Sequence, residues 1–277
     1  MEGKEVGTRD KDIPWYIKEL ENVSEQAQKL LEEYSGIAPD RVVPHILEVR
    51  ERAWDIFPYP CIGQFRFLDL SISSAPQYPE ILQRVKDGQK LLDIGCCFGQ
   101  DVRKLVFDGA PAENIYASDL QHEFWDLGYE LFLDKDKLGT QFIEADVFDE
   151  ESGLKRLDGQ IDIAHAASFF HLFNWPQQKE AAIRIVRLLK AQKGSLILGR
   201  QVGNVAPGEF PHRVGTMYRH NEASFQQLWN QVGNATESSW KVEVEMTEPD
   251  ANGFAAASGP GLNVEGTRWL RFTVTRE

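Results

Sequence analysis

The sequence has few cysteines, no long apolar run and a shortage of positive charge. Its 277 residues include three cysteines, Cys61, Cys96 and Cys97, which are too few for a disulfide framework or a four-cysteine zinc site. No stretch approaches the roughly 20 apolar residues that a membrane span needs, and the first residues lack the apolar core of a secretory signal. We therefore expect a cytoplasmic protein with free thiols, no membrane span and no bound metal.

The charge balance excludes further classes of partner. The 43 Asp and Glu residues outnumber the 30 Lys and Arg residues, so the formal net charge is −13 and the average field of the molecule repels polyanions. Nucleic acid and anionic membrane surfaces are therefore not expected partners. With 42% hydrophobic and 26% charged residues, the composition is that of a globular protein. The length fits one elaborated α/β domain, and a homodimer is the base-rate expectation.

From residue 89 onward, short apolar runs alternate with amphipathic stretches, which is typical of repeated βα units around a parallel sheet. We predict five parallel strands and a closing antiparallel pair, at residues 90–94, 114–118, 140–144, 161–166, 195–200, 240–247 and 268–275. Helices are predicted after Gly99, at 122–133, near Gly153, at 177–191 and at 222–232. A Gly-, Ala- and Pro-rich stretch at 249–266 separates the closing pair.

The segment that precedes this alternation is helical and rich in aromatic residues. Apolar residues at 14–52 fall mainly at helical spacing, and residues 54–74 combine prolines with five aromatic side chains. We divide the chain into an N-terminal helical and aromatic cap at 1–87 and a core at 88–277. The cap either closes over the strand ends as an apolar lid that excludes water or packs on the sheet as ordinary helices.

The sharpest motif is the strand, turn and helix at residues 91–101, LLDIGCCFGQD. Gly95 and Gly99 lack a Cβ, so the turn can take positive φ and let the backbone approach a ligand closely. Asp93 repels a phosphate but can accept a hydrogen bond from a cationic amino-acid group. Cys97 replaces the middle glycine of G-x-G-x-x-G, which disfavours NAD or FAD. A plain glycine turn is the other interpretation.

Two further acids end the next two strands. Asp119 lies about 20 positions after the turn, where an acid accepts hydrogen bonds from ribose hydroxyls, although it can also be a helix N-cap. Asp146 can accept from an adenine amine, and Val147 offers a backbone N–H and an apolar contact to the ring, although Asp often simply ends a strand. Three acids at successive strand ends indicate a ligand site far more specifically together than singly.

These residues resemble the class I S-adenosylmethionine-dependent methyltransferases over about residues 88–277, in the segments 91–99, 119, 144–147 and 161–166. The resemblance implies an α/β, Rossmann-like fold: a seven-stranded, mainly parallel sheet of order 3-2-1-4-5-7-6 flanked by helices, with the N-terminal cap. It implies S-adenosyl-L-methionine as the cofactor, with its ribose at Asp119 and Leu120 and its adenine at Asp146 and Val147. The bulky run at residues 96–98 departs from the small residues common in the family's turn.

The whole chain is also similar to the fungal methyltransferases of meroterpenoid and related secondary-metabolite pathways. The similarity includes Tyr59-Pro60-Cys61 in the aromatic segment and residues 169–173, FFHLF. It implies methyl-ester formation on a terpenoid-linked aromatic or polyketide acid.

Two histidines lie at or near the fourth predicted strand. His171 follows the strand, where substrate and methyl donor should meet, since ligands bind outside the carboxyl ends of parallel strands. It can orient an acceptor carboxylate, serve as the base for a phenol, or pack among the neighbouring phenylalanines. His165 lies within the strand, and we expect a buried structural role for it.

An anionic acceptor that enters an acidic protein needs local positive charge. Arginine can clamp a carboxylate with two parallel hydrogen bonds. Arg200 ends the fifth predicted strand, and we name it with His171 as a candidate catalytic residue. Other candidates, each more often a surface or packed residue, are Arg213, Arg219, His220, Gln64 and Arg66.

The leading hypothesis is an S-adenosylmethionine-dependent O-methyltransferase that esterifies a small, hydrophobic, acidic substrate. A carboxyl group with a pKa near about 4 is already ionised at neutral pH, whereas a phenol near about 10 benefits from a base. Methylation of a phenol or other hydroxyl is the first alternative. The second is a non-catalytic, cofactor-binding Rossmann-like protein. An NAD-dependent oxidoreductase is disfavoured by Asp93 and Cys97.

Overall fold

Short apolar segments form nine strands in the residues that the computed structural model describes, 7–211, 215–248 and 264–277. Several of the central strands are buried along their whole length, as in a parallel sheet that helices cover on both faces. The strands are β1 (Leu91–Ile94), β2 (Ile115–Asp119), β3 (Gln141–Glu144), β4 (Ile163–His165), β5 (Leu196–Asn204), β6 (Gly208–Pro211), β7 (Thr216–Arg219), β8 (Trp240–Thr247) and β9 (Thr267–Arg276).

Seven strands form one sheet in the order β3-β2-β1-β4-β5-β9-β8. Strands β1 to β5 are parallel, and β9 runs antiparallel to β5 and β8. The predicted order is confirmed, with β9 and β8 as the closing pair. Asp93 is in register with His165, and Asp119 is in register with Glu144, so the carboxyl ends of these strands meet at one edge.

The hairpin β6–β7 was not predicted. Its two strands pair only with each other among the described segments and form a separate two-stranded sheet. Each strand is four residues long, too short for a clear alternation of apolar and polar residues. Tyr218 packs edge-on against Trp175 with ring centroids 4.8 Å apart, so tertiary contacts stabilise the hairpin.

Helices flank the sheet and make up most of the cap. The helices predicted after Gly99, at 122–133, at 177–191 and at 222–232 are confirmed, whereas the one predicted near Gly153 is a short 3-10 turn. None of the described helices combines the length and apolar character that crossing a membrane requires. The helices are α1 (Glu25–Lys29), α2 (Val42–Ile56), α3 (Pro60–Gly63), α4 (Tyr78–Lys86), α5 (Gln100–Phe107), α6 (His122–Phe132), α7 (Trp175–Leu188) and α8 (Glu222–Thr236), with a π-helical turn at Leu30–Tyr34 and short 3-10 turns at Pro39–Arg41, Arg66–Leu68, Ala112–Asn114, Gly153–Leu157 and Phe170–Leu172.

The cap shares a hydrophobic cluster with the core. Ile46 and Trp54 of α2 belong to the same buried cluster as Phe98 of the glycine turn and Phe124 of α6. The ring of Phe67 lies 4.6 Å from that of Phe98. The cap therefore packs directly on the turn that follows β1. The division of the chain at residues 87 and 88 stays a prediction.

Residues 14–24 were expected to be helical, and this was wrong. Helix α1 begins at Glu25, and the preceding segment has no regular structure. Its aromatic residues are buried for another reason: the guanidinium of Arg50 lies between the rings of Tyr16 and Phe65, 4.1 and 4.4 Å away, and donates to the carbonyl of Ile17 at 2.8 Å. The apolar spacing reflects packing around this buried arginine.

Candidate active site

The turn after β1 requires its two glycines. Gly95 and Gly99 have φ of +69° and +64°, and a Cβ on Gly95 would lie 2.9 Å from the ring of Phe169. Cys97 also takes a left-handed backbone, with φ of 51°. The bulky neighbours do not block the turn, because Cys96 and Phe98 are buried in two different hydrophobic clusters.

Protein acceptors already satisfy most N–H groups of this turn. Gly95 and Cys96 donate to the carbonyl of Ser118, Gly99 donates to the carbonyl of Cys96, and Cys97 donates to the side chain of Asp119. A pyrophosphate would need such groups as donors. The turn therefore suits a ligand that packs against the backbone and brings its own hydrogen-bond donors. This argues against NAD, whose pyrophosphate needs donors from the protein.

Asp93 lies at the end of β1 and is 4% exposed. Its Oδ1 lies 2.8 Å from Nδ1 of His165 on the adjacent strand. Its Oδ2 has no hydrogen-bond donor among the described residues. The carboxylate is thus fixed on one side and retains acceptor capacity on the other. His165 is 1% exposed, in keeping with the buried position expected for it.

Asp119 is held by the backbone on either side of it. Oδ2 accepts the N–H of Cys97 at 2.9 Å, and Oδ1 accepts the N–H of Gln121 at 3.1 Å. Burial raises the pKa of Asp119, and these N–H groups oppose the rise.

The next side chain, Leu120, is 59% exposed although it is apolar. From the cap, the hydroxyl of Tyr59 lies 3.5 Å from the side-chain amide of Gln121. The cap therefore reaches the end of β2.

The third strand end differs from the expectation in part. Asp146 is exposed and its Oδ1 accepts the N–H of Phe148 at 2.9 Å. The side chain of Val147 is 8% exposed and belongs to the main hydrophobic cluster. An apolar contact between this side chain and an adenine ring is therefore disfavoured, which leaves the backbone of Val147 and the exposed Leu120 for that purpose.

His171 lies in the 3-10 turn Phe170–Leu172, which packs against β5. It is half-buried, and an edge-on contact between Phe169 and Phe173, with centroids 5.3 Å apart, closes the segment around it. Leu172 is 39% exposed. The site next to His171 is thus apolar and aromatic.

Arg200 belongs to a cluster that sequence analysis had not assembled. Arg200 and Arg66 both donate to Oδ2 of Asp69, at 3.0 and 2.9 Å. Both guanidinium groups lie over the ring of Trp269, at 4.4 and 4.3 Å from its centroid. Among the described residues, these two cations share one carboxylate, so this part of the cluster has one more positive charge than negative. Burial lowers the pKa of Arg66, Asp69 opposes this, and the charge of Arg200 adds to it.

Two family models match this chain. The meroterpenoid methyltransferase N-terminal domain matches residues 15–68, and a methyltransferase domain matches residues 91–192. The O-methyltransferase phiE of a fungal species is 46% identical over 88% of this chain and 85% of its own length. The chain belongs to the fungal secondary-metabolite methyltransferases. Further relatives of this methyltransferase are the O-methyltransferase atr3 of Stereocaulon alpinum, 43% identical over 96% of this chain and 77% of its own, and the Asnovolin E/Chermesin D methyltransferase nvfJ of Aspergillus novofumigatus, 44% identical over 93% and 91%.

Solved structures share the fold of the methyltransferase. The phosphoethanolamine N-methyltransferase 2 of Haemonchus contortus, solved with S-adenosyl-L-methionine, has a TM-score of 0.53 at 16% identity over 77% of this chain and 56% of its own. The [4+2]-cyclase SpnF has a TM-score of 0.51 at 14% identity over 92% and 97%. The fold thus also carries other chemistry, and the close methyltransferase relatives are what show this chain to be an enzyme.

The cofactor is S-adenosylmethionine. The residues present fit this group. Among the described residues Oδ2 of Asp93 is left to accept from an ammonium, the tethered carboxylate of Asp119 suits two hydroxyls, and the exposed Leu120 offers an apolar surface. The side chains of Asp93, Asp119 and Leu120 would hold the cofactor, with the backbone at Asp146 and Val147. These individual assignments, with Gly95 and Gly99 in the turn, stay predictions.

The cations expected after β5 do not form an exposed anion site. Nδ1 and Nε2 of His220 lie 2.9 Å from Oγ of Ser224 and 3.1 Å from Oε1 of Gln178, and the histidine is fully buried. Arg219 is also fully buried and donates to Thr267 at 3.3 Å. Arg213 lies outside the described residues. His220 and Arg219 are therefore not proposed as acceptor ligands.

Gln178 was missed by sequence analysis, because nothing in an amphipathic helix marks one glutamine. Its Nε2 donates to the carbonyls of Phe173 and Tyr218 at 2.9 and 2.8 Å. It thus joins the segment that follows His171 to strand β7. With His220 it forms a neutral, buried hydrogen-bond network.

His220 makes stability depend on pH. Burial lowers its pKa to about 3 from an ordinary value of 6.5, so the unfolded chain takes up a proton that the folded protein excludes. This stabilisation is complete above pH 6.5 and is lost as pH falls toward 3, by about 1.4 kcal/mol per pH unit. We expect His220→Gln to flatten the pH dependence of the urea-unfolding free energy in that window, whereas the exposed His122→Gln keeps it. Equal slopes in the two variants would contradict this assignment.

Proposed function

We propose that this methyltransferase forms a methyl ester on the carboxylate of a hydrophobic, meroterpenoid-type acid. The observation that carries the proposal is the convergence of Arg66 and Arg200 on one oxygen of Asp69. This leaves local positive charge in a protein with a formal net charge of −13. Because a partly buried pair of guanidinium groups stabilises an anion, the cluster favours a carboxylate over a neutral hydroxyl.

The surroundings support an apolar acceptor. Trp269 lies against both guanidinium groups, and Phe169, Leu172 and Phe173 line the neighbouring strand end. The family model that matches the cap is the N-terminal domain of meroterpenoid methyltransferases, and the relative nvfJ is an Asnovolin E/Chermesin D methyltransferase. A terpenoid-linked acid combines the required anion with a large apolar body.

The side chains have little proton transfer to perform in this reaction. A carboxylate with a pKa near about 4 is already ionised at neutral pH. Arg66 and Arg200 would hold one carboxylate oxygen and direct the other toward the methyl group that the bound cofactor supplies. The aromatic residues beside His171 would exclude water, so alignment and desolvation provide most of the rate.

A matched pair of acceptors tests the proposal. The enzyme is incubated with methyl-labelled cofactor and either a prenylated hydroxybenzoic acid or the same phenol without its carboxyl group. We expect labelled product from the acid alone, and mild alkaline hydrolysis should release its label as methanol. Label that resists hydrolysis, or label on the phenol that lacks a carboxyl group, would identify an ether and overturn the ester proposal.

The arginine pair makes a separate prediction. Replacing either Arg200 or Arg66 by Met removes one charge-assisted hydrogen bond to the acceptor, so the KM for the acid should rise about 10-fold with a smaller change in kcat. Arg187→Met is the matched control, because Arg187 is exposed and pairs with Glu150 instead of Asp69. A KM for the acid that is the same in all three variants would exclude the cluster as the carboxylate site.

Methylation of a hydroxyl is the second candidate function, and the position of His171 at the aromatic strand end favours it. The two functions differ in what His171 does. For a carboxylate, His171→Ala should lower kcat only about 10-fold through lost positioning. A loss of about a thousand-fold or more that higher pH restores would identify His171 as the base for a phenol.

A further inference from the structure

Four buried polar side chains form a continuous chain from the cap to the end of β1. Nδ1 of His165 lies 2.8 Å from Oδ1 of Asp93, and its Nε2 lies 3.2 Å from Oγ of Ser71. The Ser71 hydroxyl donates to Oδ2 of Asp101 at 2.7 Å. Each of these residues is at most 9% exposed. Ser71 belongs to the cap, whereas the other three belong to the core, so the chain crosses the boundary between them.

Proton counting determines the state of His165. The Ser71 hydroxyl has one proton and gives it to Asp101, so Ser71 can only accept from Nε2–H of His165. A carboxylate at Asp93 can likewise only accept from Nδ1–H. With carboxylates at both ends of the chain, both ring nitrogens carry protons and His165 is an imidazolium.

This count requires Asp101 to be ionised, and specific contacts stabilise that state. Oδ1 accepts the backbone N–H of Ile72 at 3.0 Å. Asp101 also lies in the first turn of α5, where the helix dipole stabilises a carboxylate. Burial and the charge of Asp93 raise the pKa of Asp101 above its ordinary value, and the positive charge of His165, the N–H of Ile72 and the hydroxyl of Ser71 oppose that rise.

The charges around His165 also favour its protonated form. Burial lowers its pKa, but Asp93 on β1 and Asp101 on α5 outweigh this, although Arg200 on β5 opposes them. The net result is a pKa above the ordinary value of 6.5. One cation thus lies between two anions in a largely buried site.

We propose that His165 is a positioning residue that holds Oδ1 of Asp93, leaves Oδ2 for the ammonium group of the cofactor, and makes this arrangement depend on the docked cap through Ser71. Removal of the Ser71 hydroxyl leaves Asp101 and His165 without their shared partner, so the orientation of Asp93 loses its support. Cofactor affinity is thereby coupled to the packing of residues 69–75 on the core. This positioning role does not depend on which acceptor is methylated.

The protonation state is tested on the full chain without cofactor. Histidine ring nitrogens are labelled with ¹⁵N, and the signals of His165 are assigned by their loss in His165→Asn. We expect both nitrogens to remain protonated at about pH 8, where an ordinary histidine is neutral. A neutral tautomer at that pH would overturn the imidazolium, whichever acceptor the enzyme uses.

The positioning role is tested by calorimetric titration with S-adenosylhomocysteine. Ser71→Ala and His165→Asn should each weaken binding about 10-fold and raise the KM for the cofactor, with kcat at saturation nearly unchanged. Ser73→Ala is the matched control, since its hydroxyl lies in the same segment but has Gln26 and the carbonyl of Leu70 as its acceptors, outside the chain of His165. Circular dichroism selects variants that are folded.

Two results would overturn the positioning role. One is unchanged S-adenosylhomocysteine affinity in folded Ser71→Ala and His165→Asn. The other is an equal loss in Ser73→Ala, which would indicate a general loosening of the segment. The ester proposal is tested by the chemical nature of the labelled product, and the positioning role by these titrations. Either can therefore fail without the other.

Discussion

Asp134→Ala is expected to lower the free energy of unfolding by about 3–5 kcal/mol. Asp134 is 1% exposed and accepts two hydrogen bonds from the fully buried Arg103, Nε to Oδ2 at 2.9 Å and NH2 to Oδ1 at 3.0 Å. The hydroxyl of Tyr34, from the cap, also donates to Oδ2 at 2.8 Å. Truncation would leave a guanidinium buried without its counter-charge.

The loss of unfolding free energy should be large because the guanidinium of Arg103 cannot move to solvent. The rings of Trp125, Tyr129 and Phe132 surround its guanidinium at 4.6 to 5.3 Å. NH1 also donates to the carbonyl of Phe98 at 2.7 Å, so the arginine supports the glycine turn. Loss of Asp134 should therefore weaken S-adenosylhomocysteine binding as well as the fold.

Chemical denaturation of wild type, Asp134→Ala and Asp136→Ala measures this effect. Asp136 is exposed in the same loop and is the matched control, for which we expect a change within about 0.5 kcal/mol. Tyr34→Phe should cost about 1 kcal/mol, the value of one hydrogen bond. A loss of stability in Asp134→Ala no larger than that in Asp136→Ala would contradict the assigned role.

Asp119→Ala should weaken S-adenosylhomocysteine binding about 100-fold or more. Its carboxylate is the group proposed to accept both ribose hydroxyls, and hydrogen bonds to a charged acceptor contribute about 1.5–3 kcal/mol each. The same carboxylate fixes the N–H groups of Cys97 and Gln121, so its loss also frees the turn after β1.

Calorimetric titration measures this second effect, with Asp126→Ala as the control. Asp126 is exposed on α6, in the helix that follows β2. Asp119→Asn separates the two contributions, because it keeps the shape of the side chain but loses one acceptor. A dissociation constant for Asp119→Ala within about three-fold of wild type would exclude Asp119 from the cofactor site.

The fold was readable from the chain because parallel sheets have a local signature. Fully buried strands such as β1 and amphipathic helices such as α7 impose apolar patterns on a few consecutive residues. These patterns can be recognised without knowledge of distant contacts. The hairpin β6–β7 and the irregular residues 14–24 were misjudged for the converse reason. Their conformation depends on contacts with Trp175 and Arg50, which no local pattern encodes.

For the candidate site, the sequence by itself determined which acids lie at the strand ends, since Asp93, Asp119 and Asp146 each lie at or just after a short, largely apolar run. The tertiary structure decided what those positions contact. Asp69 and Arg200 are 131 residues apart in the chain, yet they meet beside Arg66 and Trp269. An ion pair or a proton chain is set by packing and dielectric environment, not by spacing. The positive cluster and the imidazolium of His165 therefore emerge only when the cap packs on the sheet.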